Sequence, residues 1–458
     1  MALPEGAPPP PGSRENLATL LQQGRFAEAS PRLRELVQAD PGDAQSWLQL
    51  GHVARALGDA PLAREAFERA ARLRPADPML QFNLGVVLGD AGDWVGALGR
   101  FEQAIALHPG YVKAIGNRAT ALARLGRLEE SIPAFLEALA LDPSHHDARY
   151  NLALAQLTLG DFEQGLRNYE ARWTWSRAHA RRHGSISPWT GNPVPEGTTI
   201  LLWAEQGLGD TVQFSRYAPM VAAQGARVVM EVQPPLVRLL GANFPAAQVI
   251  ALGETPPACQ WQAPLPGLPR LLGTRIETIP GGAPYLRADP QRAARMRARL
   301  GEPGDRPLVG VCVSGSATHA NDARRSMPLA ALAPLARIAR LVLVQQELRA
   351  SDEEALRALS ILDLRAELRE FADTAALLES LDAVASVDTS VAHVAGALGR
   401  PLWLMLAHES DWRWLRGRVD SPWYPAARLV RQSEPGNWEP VATAVTQDIA
   451  VRFRAFPR

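Results

Sequence analysis

Residues 47–75 read WLQLGHVARALGDAPLAREAFERAARLRP, from Trp47 to Pro75. The same arrangement of residue types returns every 34 residues on either side of it. Pro41, Pro75, Pro109 and Pro143 share that spacing, as do Gly24, Gly58, Gly92, Gly126 and Gly160. Trp47, Leu50, Gly51, Ala63, Phe67 and Ala70 are answered by Leu84, Gly85, Ala97, Phe101 and Ala104, then by Ala119, Phe135 and Ala138. A fourth copy, Leu152, Ala153, Gly165 and Tyr169, runs into Arg172 and Trp173, and a weaker first copy holds Leu17, Ala29 and Leu36. A unit of this length is a pair of helices that buries its apolar face only by stacking on its neighbours. Small residues such as Gly51 and Ala63 let the two helices approach closely. The recurring glycine ends the first helix and the proline ends the second.

A 34-residue period with small residues at two fixed positions is the signature of the tetratricopeptide repeat. It predicts an α-solenoid of about five repeats over residues 13–175, preceded by a proline- and glycine-rich arm over residues 1–12. Such arrays bind peptides or proteins. Asn83, Asn117 and Asn151 recur at one place in the first helix of the repeat, with Gln49 and Glu15 at the equivalent earlier places. An amide both donates and accepts, which suits a peptide backbone. This row resembles the asparagine ladder of O-linked N-acetylglucosamine transferases, and makes the groove a candidate protein-acceptor site. The alternative is that asparagine belongs to the repeat's own consensus.

The chain has 458 residues, 47% of them hydrophobic and 21% charged, enough for a buried core and against wholesale disorder. Basic and acidic side chains balance at 48 each, without the basic excess expected of a nucleic-acid binder. Cys259 and Cys312 are the only cysteines, which excludes a disulfide framework and fits a reducing cytoplasm. No apolar run reaches the roughly 20 residues of a membrane helix. Lys113 is the only lysine, so a phosphate would be met by arginine, hydroxyl or backbone N–H groups.

After residue 175 the pattern changes. Residues 176–197 read as a linker. Short apolar runs then alternate with helical stretches, as in a parallel sheet covered by helices. Strands are expected at Thr199–Trp203, Arg227–Val232, Gln248–Ala251, Leu308–Val313, Arg340–Val344, Ile361–Leu364, Ala383–Val387, Leu402–Leu406 and Ala427–Val430. A polar seam over residues 289–306 divides two Rossmann-like halves, residues 198–288 and 307–432. A final amphipathic helix lies within residues 433–458. Paired halves of this kind place a ligand between them, at the C-terminal ends of the strands.

The chemistry-bearing residues lie in loops that follow strands. Gln206, Gly207 and Gly209 form a glycine turn that would allow close approach to a ligand, and Asp210 opens the next helix. As a cap, Asp210 would complement the helix dipole. Asp388, Thr389, Ser390 and His393 again bridge strand and helix, where free N–H groups make an anion site; the alternative is a simple cap and a satisfied histidine. Ser314 and Gly315 end another strand. His319, Asn321, Asp322, Arg324 and Arg325 follow, and the paired arginines could clamp a pyrophosphate. Gln345, Gln346 and Glu347 could meet a ribose or base. The Ser314–Arg325 and Gln345–Glu347 stretches are also compatible with solvated polarity.

Together, the Glu205–Asp210 and Asp388–His393 segments and the run Asp411-Trp412-Arg413-Trp414-Leu415 resemble bacterial proteins that join tetratricopeptide repeats to a heptosyltransferase-like domain of glycosyltransferase family 9. The resemblance covers nearly the whole chain. It implies a GT-B fold whose first half holds the acceptor and whose second half holds a nucleotide-sugar, with no other cofactor. It implies Asp210 as the catalytic base. Ser314, Gly315, Arg324, Arg325, Glu347, Asp388, Thr389, Ser390 and His393 would face the donor. Some relatives are similar to flagellin glycosyltransferases, which makes a flagellin-like protein an expected partner. No D-x-D sequence occurs, as in a metal-independent inverting enzyme. The heptosyltransferases proper carry a lysine near the phosphates; here Arg324 or Arg325 would substitute. Val313 stands where relatives often have tryptophan, and residues 259–273 look irregular for the family. The other readings are a binding scaffold whose second part is a transferase relic, and an enzyme that glycosylates a saccharide or lipid with the repeats serving only assembly.

Overall fold

In the computed structural model, residues 14–175, 181–281, 284–302, 304–316 and 322–454 are described. The arm, residues 176–180, and the loop residues His319 and Asn321 lie outside them, and for Glu15 the side chain does. The chain forms two compact units that divide between Ala155 and Gln156.

The first unit is the repeat array. Helix pairs run Arg14–Gln22 and Phe26–Ala39, Ala44–Ala56 and Ala60–Leu73, Pro78–Asp90 and Trp94–Leu107, Val112–Arg124 and Leu128–Leu141. A fifth pair, His146–Thr158 and Phe162–Asn168, straddles the division. The repeated glycines Gly24, Gly58, Gly92, Gly126 and Gly160 all have positive φ, between 68° and 90°, which ends each first helix in the left-handed conformation. Asp43, Asp59, Asp77, Asp93 and Asp161 accept N–H groups of the helices that follow them. A Cβ on Gly51 would stand 2.7 Å from the Phe67 ring, and one on Gly85 2.6 Å from Phe101. The small residue is therefore required by the phenylalanine it faces. Phe67, Phe101 and Phe135, buried at one place in successive repeats, form the spine of the core.

The second unit holds two fully parallel sheets. The first consists of β1 (Ser187–Pro188), β2 (Thr199–Trp203), β3 (Arg227–Val232), β4 (Ala247–Ala251) and β5 (Trp261–Pro264), in the order β1-β5-β2-β3-β4. The second consists of β6 (Leu308–Cys312), β7 (Arg340–Leu343), β8 (Leu362–Asp363), β9 (Ala383–Val387), β10 (Leu402–Leu406) and β11 (Ala427–Arg431), in the order β11-β10-β9-β6-β7-β8. The order reverses between β2 and β5 in the first sheet and between β6 and β9 in the second. Such switch points open crevices at the strands' C-terminal ends. The last helix is Glu439–Arg454.

Three expectations change. Residues 181–197 are no bare linker. β1 pairs with β5, Trp189 is buried, and Arg182 and His183 both reach the buried Glu231 at the end of β3, at 2.7 and 2.9 Å. The irregular segment 259–273 carries β5, which lies beside β2 in the first sheet. The compact units divide about twenty residues before the expected end of the repeats at residue 175, because the end of the last repeat packs within the second unit. Arg172 and Glu205, each with a side chain only 1% exposed, form a two-pronged ion pair at 2.8 and 2.9 Å.

Candidate functional site

β2 feeds the helix Leu208–Ser215 and β9 feeds the helix Ser390–Ala397. The first turns of these helices meet. A Cβ on Gly209 would lie 2.6 Å from His393 Cδ2 and 3.4 Å from Ser390 Cα. The expectation that Gly207 and Gly209 serve a tight turn is corrected by this contact. Gly207 sits at φ −70°, open to any residue, and the close approach made by Gly209 is to the histidine.

Asp210 is the third residue of its helix. Its Oδ2 accepts the Gly207 N–H at 2.8 Å, so it does cap the helix. Its Oδ1 faces Arg413 Nη2 at 2.5 Å. Arg413 lies in the short turn Trp412–Trp414 after β10, and its Nη1 also reaches Asp411 at 2.8 Å. Its guanidinium stacks over the Trp412 and Phe214 rings, at 4.7 and 5.3 Å. Burial pushes the Asp210 carboxyl above its ordinary value, and Asp411 adds to that against the pull of Arg413. The side chain keeps 21% of its surface exposed, enough for a small group to touch it.

His393 is buried beside it. Its Nδ1 shares a hydrogen bond with the Tyr424 hydroxyl at 2.8 Å, its ring stacks on Trp414, and its Nε2 stands 4.0 Å from Asp388 Oδ1. Burial, then the charges of Arg413, Arg216 and Arg325, hold the imidazole well below its usual pKa, so it is neutral at pH 7. Burial and the nearby Asp411 push the Asp388 carboxyl up to about 6.

Thr389 precedes the Ser390–Ala397 helix without capping it. Its hydroxyl turns into the core toward Cys312 Sγ (3.4 Å) and Ser386 Oγ (3.3 Å). Ser390, half-buried, opens the helix.

The loop after β6 divides the paired arginines. Arg325 points inward and donates from Nη1 to the Asp388 carbonyl at 3.0 Å. Gly315 lies beneath it, where a Cβ would stand 2.4 Å from the guanidinium and 3.1 Å from Asp322 Oδ1. Arg324 turns outward, 63% exposed, with Glu409 3.8 Å away. A clamp made by both arginines is not what this geometry offers. Ser314 Oγ accepts from Gln345 Nε2 at 2.8 Å, and the Glu347 side chain is exposed while its carbonyl accepts from the same amide. Gln346 is spent on the Leu368 carbonyl. Asp322 is buried under Arg349 and Ser326 and accepts the Gly315 N–H at 3.1 Å, which makes it a brace for the loop.

Sequence reasoning did not foresee Arg413 as the partner of Asp210, nor Tyr424 and Arg216. Buried Arg216 donates to the Trp423 carbonyl at 2.8 Å and lies over the rings of Tyr285 and Tyr424. The run of two tryptophans around one arginine after β10 was the available signal, since an arginine there is held by aromatic faces. Among the described residues no three acidic, histidine or cysteine side chains gather as a metal site would require, and no helix is long and apolar enough to cross a membrane.

In the repeat array, Gln49, Asn117 and Asn151 are half-exposed and Asn83 is buried. The Asn83 Nδ2 has no hydrogen-bond partner among the described residues, while Asn151 Nδ2 reaches Thr120 Oγ1 at 3.4 Å.

Comparison with known proteins agrees with the reading of the repeats. The tetratricopeptide-repeat family matches residues 19–78, 48–112, 82–145 and 117–178, so this part of the chain is a tetratricopeptide-repeat array. Protein FlbA of Caulobacter vibrioides is 29% identical over 316 residues, covering 62% of this chain and 52% of that protein. The chain thus spans about half the length of this curated relative, and the matched share is larger than the repeats occupy. Among solved structures, MamA from Desulfovibrio magneticus RS-1 is 24% identical with a TM-score of 0.34, over 37% of this chain and 95% of that one. YrrB, a TPR protein with an unusual peptide-binding site, is 23% identical with a TM-score of 0.31, over 35% and 82%.

Proposed function

We propose that the second unit has a GT-B-like architecture and is an inverting, metal-independent glycosyltransferase that moves a sugar from a nucleotide-sugar to a hydroxyl of a protein held by the repeats. One observation carries the reading. Two strand-to-helix loops, one from each sheet, bring Asp210 and the Asp388–His393 segment together at the C-terminal ends of their strands. That is where open α/β sheets bind ligands.

In the proposed reaction Asp210 accepts the proton of the acceptor hydroxyl as the oxygen attacks the anomeric carbon. A carboxyl lifted by burial is a better base at neutral pH than a solvated one. The first turn at Ser390, with Arg325 beside it, stabilises the nucleotide phosphate as it leaves. Neutral His393 orients rather than carries charge. The amide row Gln49, Asn83, Asn117 and Asn151 holds the acceptor backbone. In this proposal a flagellin-like acceptor rests on resemblance, and a cytoplasmic setting on the two free cysteines, Cys259 and Cys312.

The second reading is a repeat scaffold with an inactive α/β unit. The ion pair between Asp210 and Arg413 favours it, since a base must leave its partner to accept a proton. Asp210→Asn and Arg413→Met separate the two. As an enzyme, the protein should lose about 100- to 10,000-fold of its transfer rate in Asp210→Asn with donor affinity kept. Transfer would be read as a mass increment on a co-expressed acceptor. Full transfer by Asp210→Asn removes the base assignment. No transfer or donor binding by the unmodified chain, across nucleotide-sugars and acceptors, supports the scaffold.

A further inference from the structure

The end of the last repeat reaches the loops that supply Asp210 and Arg413. Arg172 grips Glu205 with both prongs, and its third nitrogen donates to Glu170 at 2.7 Å. Gln206, next in the chain, donates from Nε2 to the Tyr169 hydroxyl at 3.0 Å and to Glu205 Oε1 at 3.3 Å. The other face of that amide, Oε1, takes Arg413 Nη2 at 3.5 Å, and Arg413 holds Asp210. The backbone is tied as well, since Arg416 N–H donates to the Thr158 carbonyl at 3.0 Å. Phe162 packs edge-on against Trp412 and stacks on Trp423.

An unbroken chain of polar contacts therefore leads from Arg172 through Glu205 and Gln206 to Arg413 and Asp210. Hydrophobic packing alone would hold this helix against the sheet without placing a charge there. A fully buried arginine–carboxylate pair is poor evidence of stabilisation, because desolvation offsets most of its attraction. Such a pair fixes geometry better than it adds stability, and the geometry it fixes here is the loop ending at Asp210.

We propose that Arg172 and Tyr169, at the end of the last repeat and within the second unit, are positioning residues for the Asp210–Arg413 pair, so that this segment supplies part of the α/β site instead of merely leading into it. This rests on the glycosyltransferase reading only for its kinetic consequence. The structural consequence stands without it. Asp210 is faced by Arg413 and Asp411 from the turn after β10, by Glu205 from its own loop, by Tyr169 from the last repeat and by neutral His393 across Gly209. Removing Arg172 leaves Glu205 an uncompensated negative charge on this group. The Asp210 carboxyl then holds its proton to higher pH.

The experiment uses the full chain carrying Arg172→Met, Glu205→Gln, the two combined, and Tyr169→Phe. The Asp210 carboxyl is followed by carbon-13 NMR, its resonance identified by its loss in Asp210→Asn. Arg172→Met should move the Asp210 titration up by about one pH unit, and Glu205→Gln should not. The double variant should resemble Glu205→Gln, because Arg172 acts through Glu205. Tyr169→Phe, which removes one hydroxyl and threatens the fold least, should broaden or shift the same resonance. If transfer is measurable, the acidic limb of kcat should rise in pH with the Asp210 titration while the KM for donor stays fixed. An Asp210 titration unchanged in both Arg172→Met and Tyr169→Phe overturns the proposal, whatever happens to thermal stability. So do additive effects of Arg172→Met and Glu205→Gln. Absence of transfer in the unmodified chain would sink the enzymatic reading and leave the NMR result to decide the positioning.

Discussion

Gly209 and Asp388 show how single residues set this site. Gly209 lets two helices touch at their first turns, and any side chain there enters the His393 ring. Gly209→Ala should cost about 1–3 kcal/mol in denaturant unfolding, the usual penalty of overpacking, because the ring is itself fixed by Tyr424 and Trp414 and has nowhere to move. Asp388 makes a prediction about pH. Its folded pKa of about 6 lies above its value near 3.9 in the unfolded chain. Between those values the folded state holds a proton that the unfolded state has released, so this group's contribution to stability falls as pH rises through that window and is flat above it. Asp388→Asn removes the titration. The variant should gain up to about 2 kcal/mol on the unmodified protein at pH 7.5 relative to pH 4, after allowance for partial exposure. Chemical denaturation at the two pH values reads this. A variant that loses stability equally at both pH values would show that the carboxylate's hydrogen bonds matter more than its burial.

At the scale of elements, the repeats were legible because each carries its own punctuation. Gly58 and Gly92 are left-handed, Asp59 and Asp93 cap the helices that follow, and no distant residue is needed to read either. Buried parallel strands such as β9 and β10 announce themselves as apolar runs. β1 did not, being two residues with a proline. β5 did not because Gln262 sits in its middle, its side chain accepting the Trp203 indole N–H at 2.6 Å inside the sheet. The same limit governs the site. Asp210 could be picked out from its place at a helix start, but Arg413 lies far along the chain and only the fold brings it near. Arg324 and Arg325 look alike in sequence, and only the fold turns one inward to the Asp388 carbonyl and the other outward toward Glu409. The amide row belongs to this scale too. Changing Asn83, Asn117 and Asn151 together to Ala should weaken acceptor binding while donor binding stays intact. Each neutral hydrogen bond is worth on the order of 1 kcal/mol, so single changes should be small. Acceptor affinity unchanged in a folded triple variant, measured by calorimetry, would assign the row to repeat packing.

For the whole molecule, the question is where the chain can be divided. Composition places the boundary where the repeats end, near residue 175. The buried contacts place it earlier, because Phe162, Tyr169 and Arg172 all pack into the second unit. A chain break between residues 176 and 180 would therefore cut the covalent link while leaving the last repeat's second helix in its seat. Separating the pieces would expose Phe162 and the Trp412 and Trp423 faces to water, and would strand Glu205 without its arginine. Reburying the Phe162, Trp412 and Trp423 faces is what favours reassociation, while the ion pair fixes register more than it adds affinity. A protease site inserted among residues 176–180 should thus give two fragments that co-elute on gel filtration and part only in denaturant. Arg172→Met in the cleaved protein should loosen them. Fragments that separate in native buffer would return the boundary to the end of the repeats and make the Arg172–Glu205 pair a passive contact.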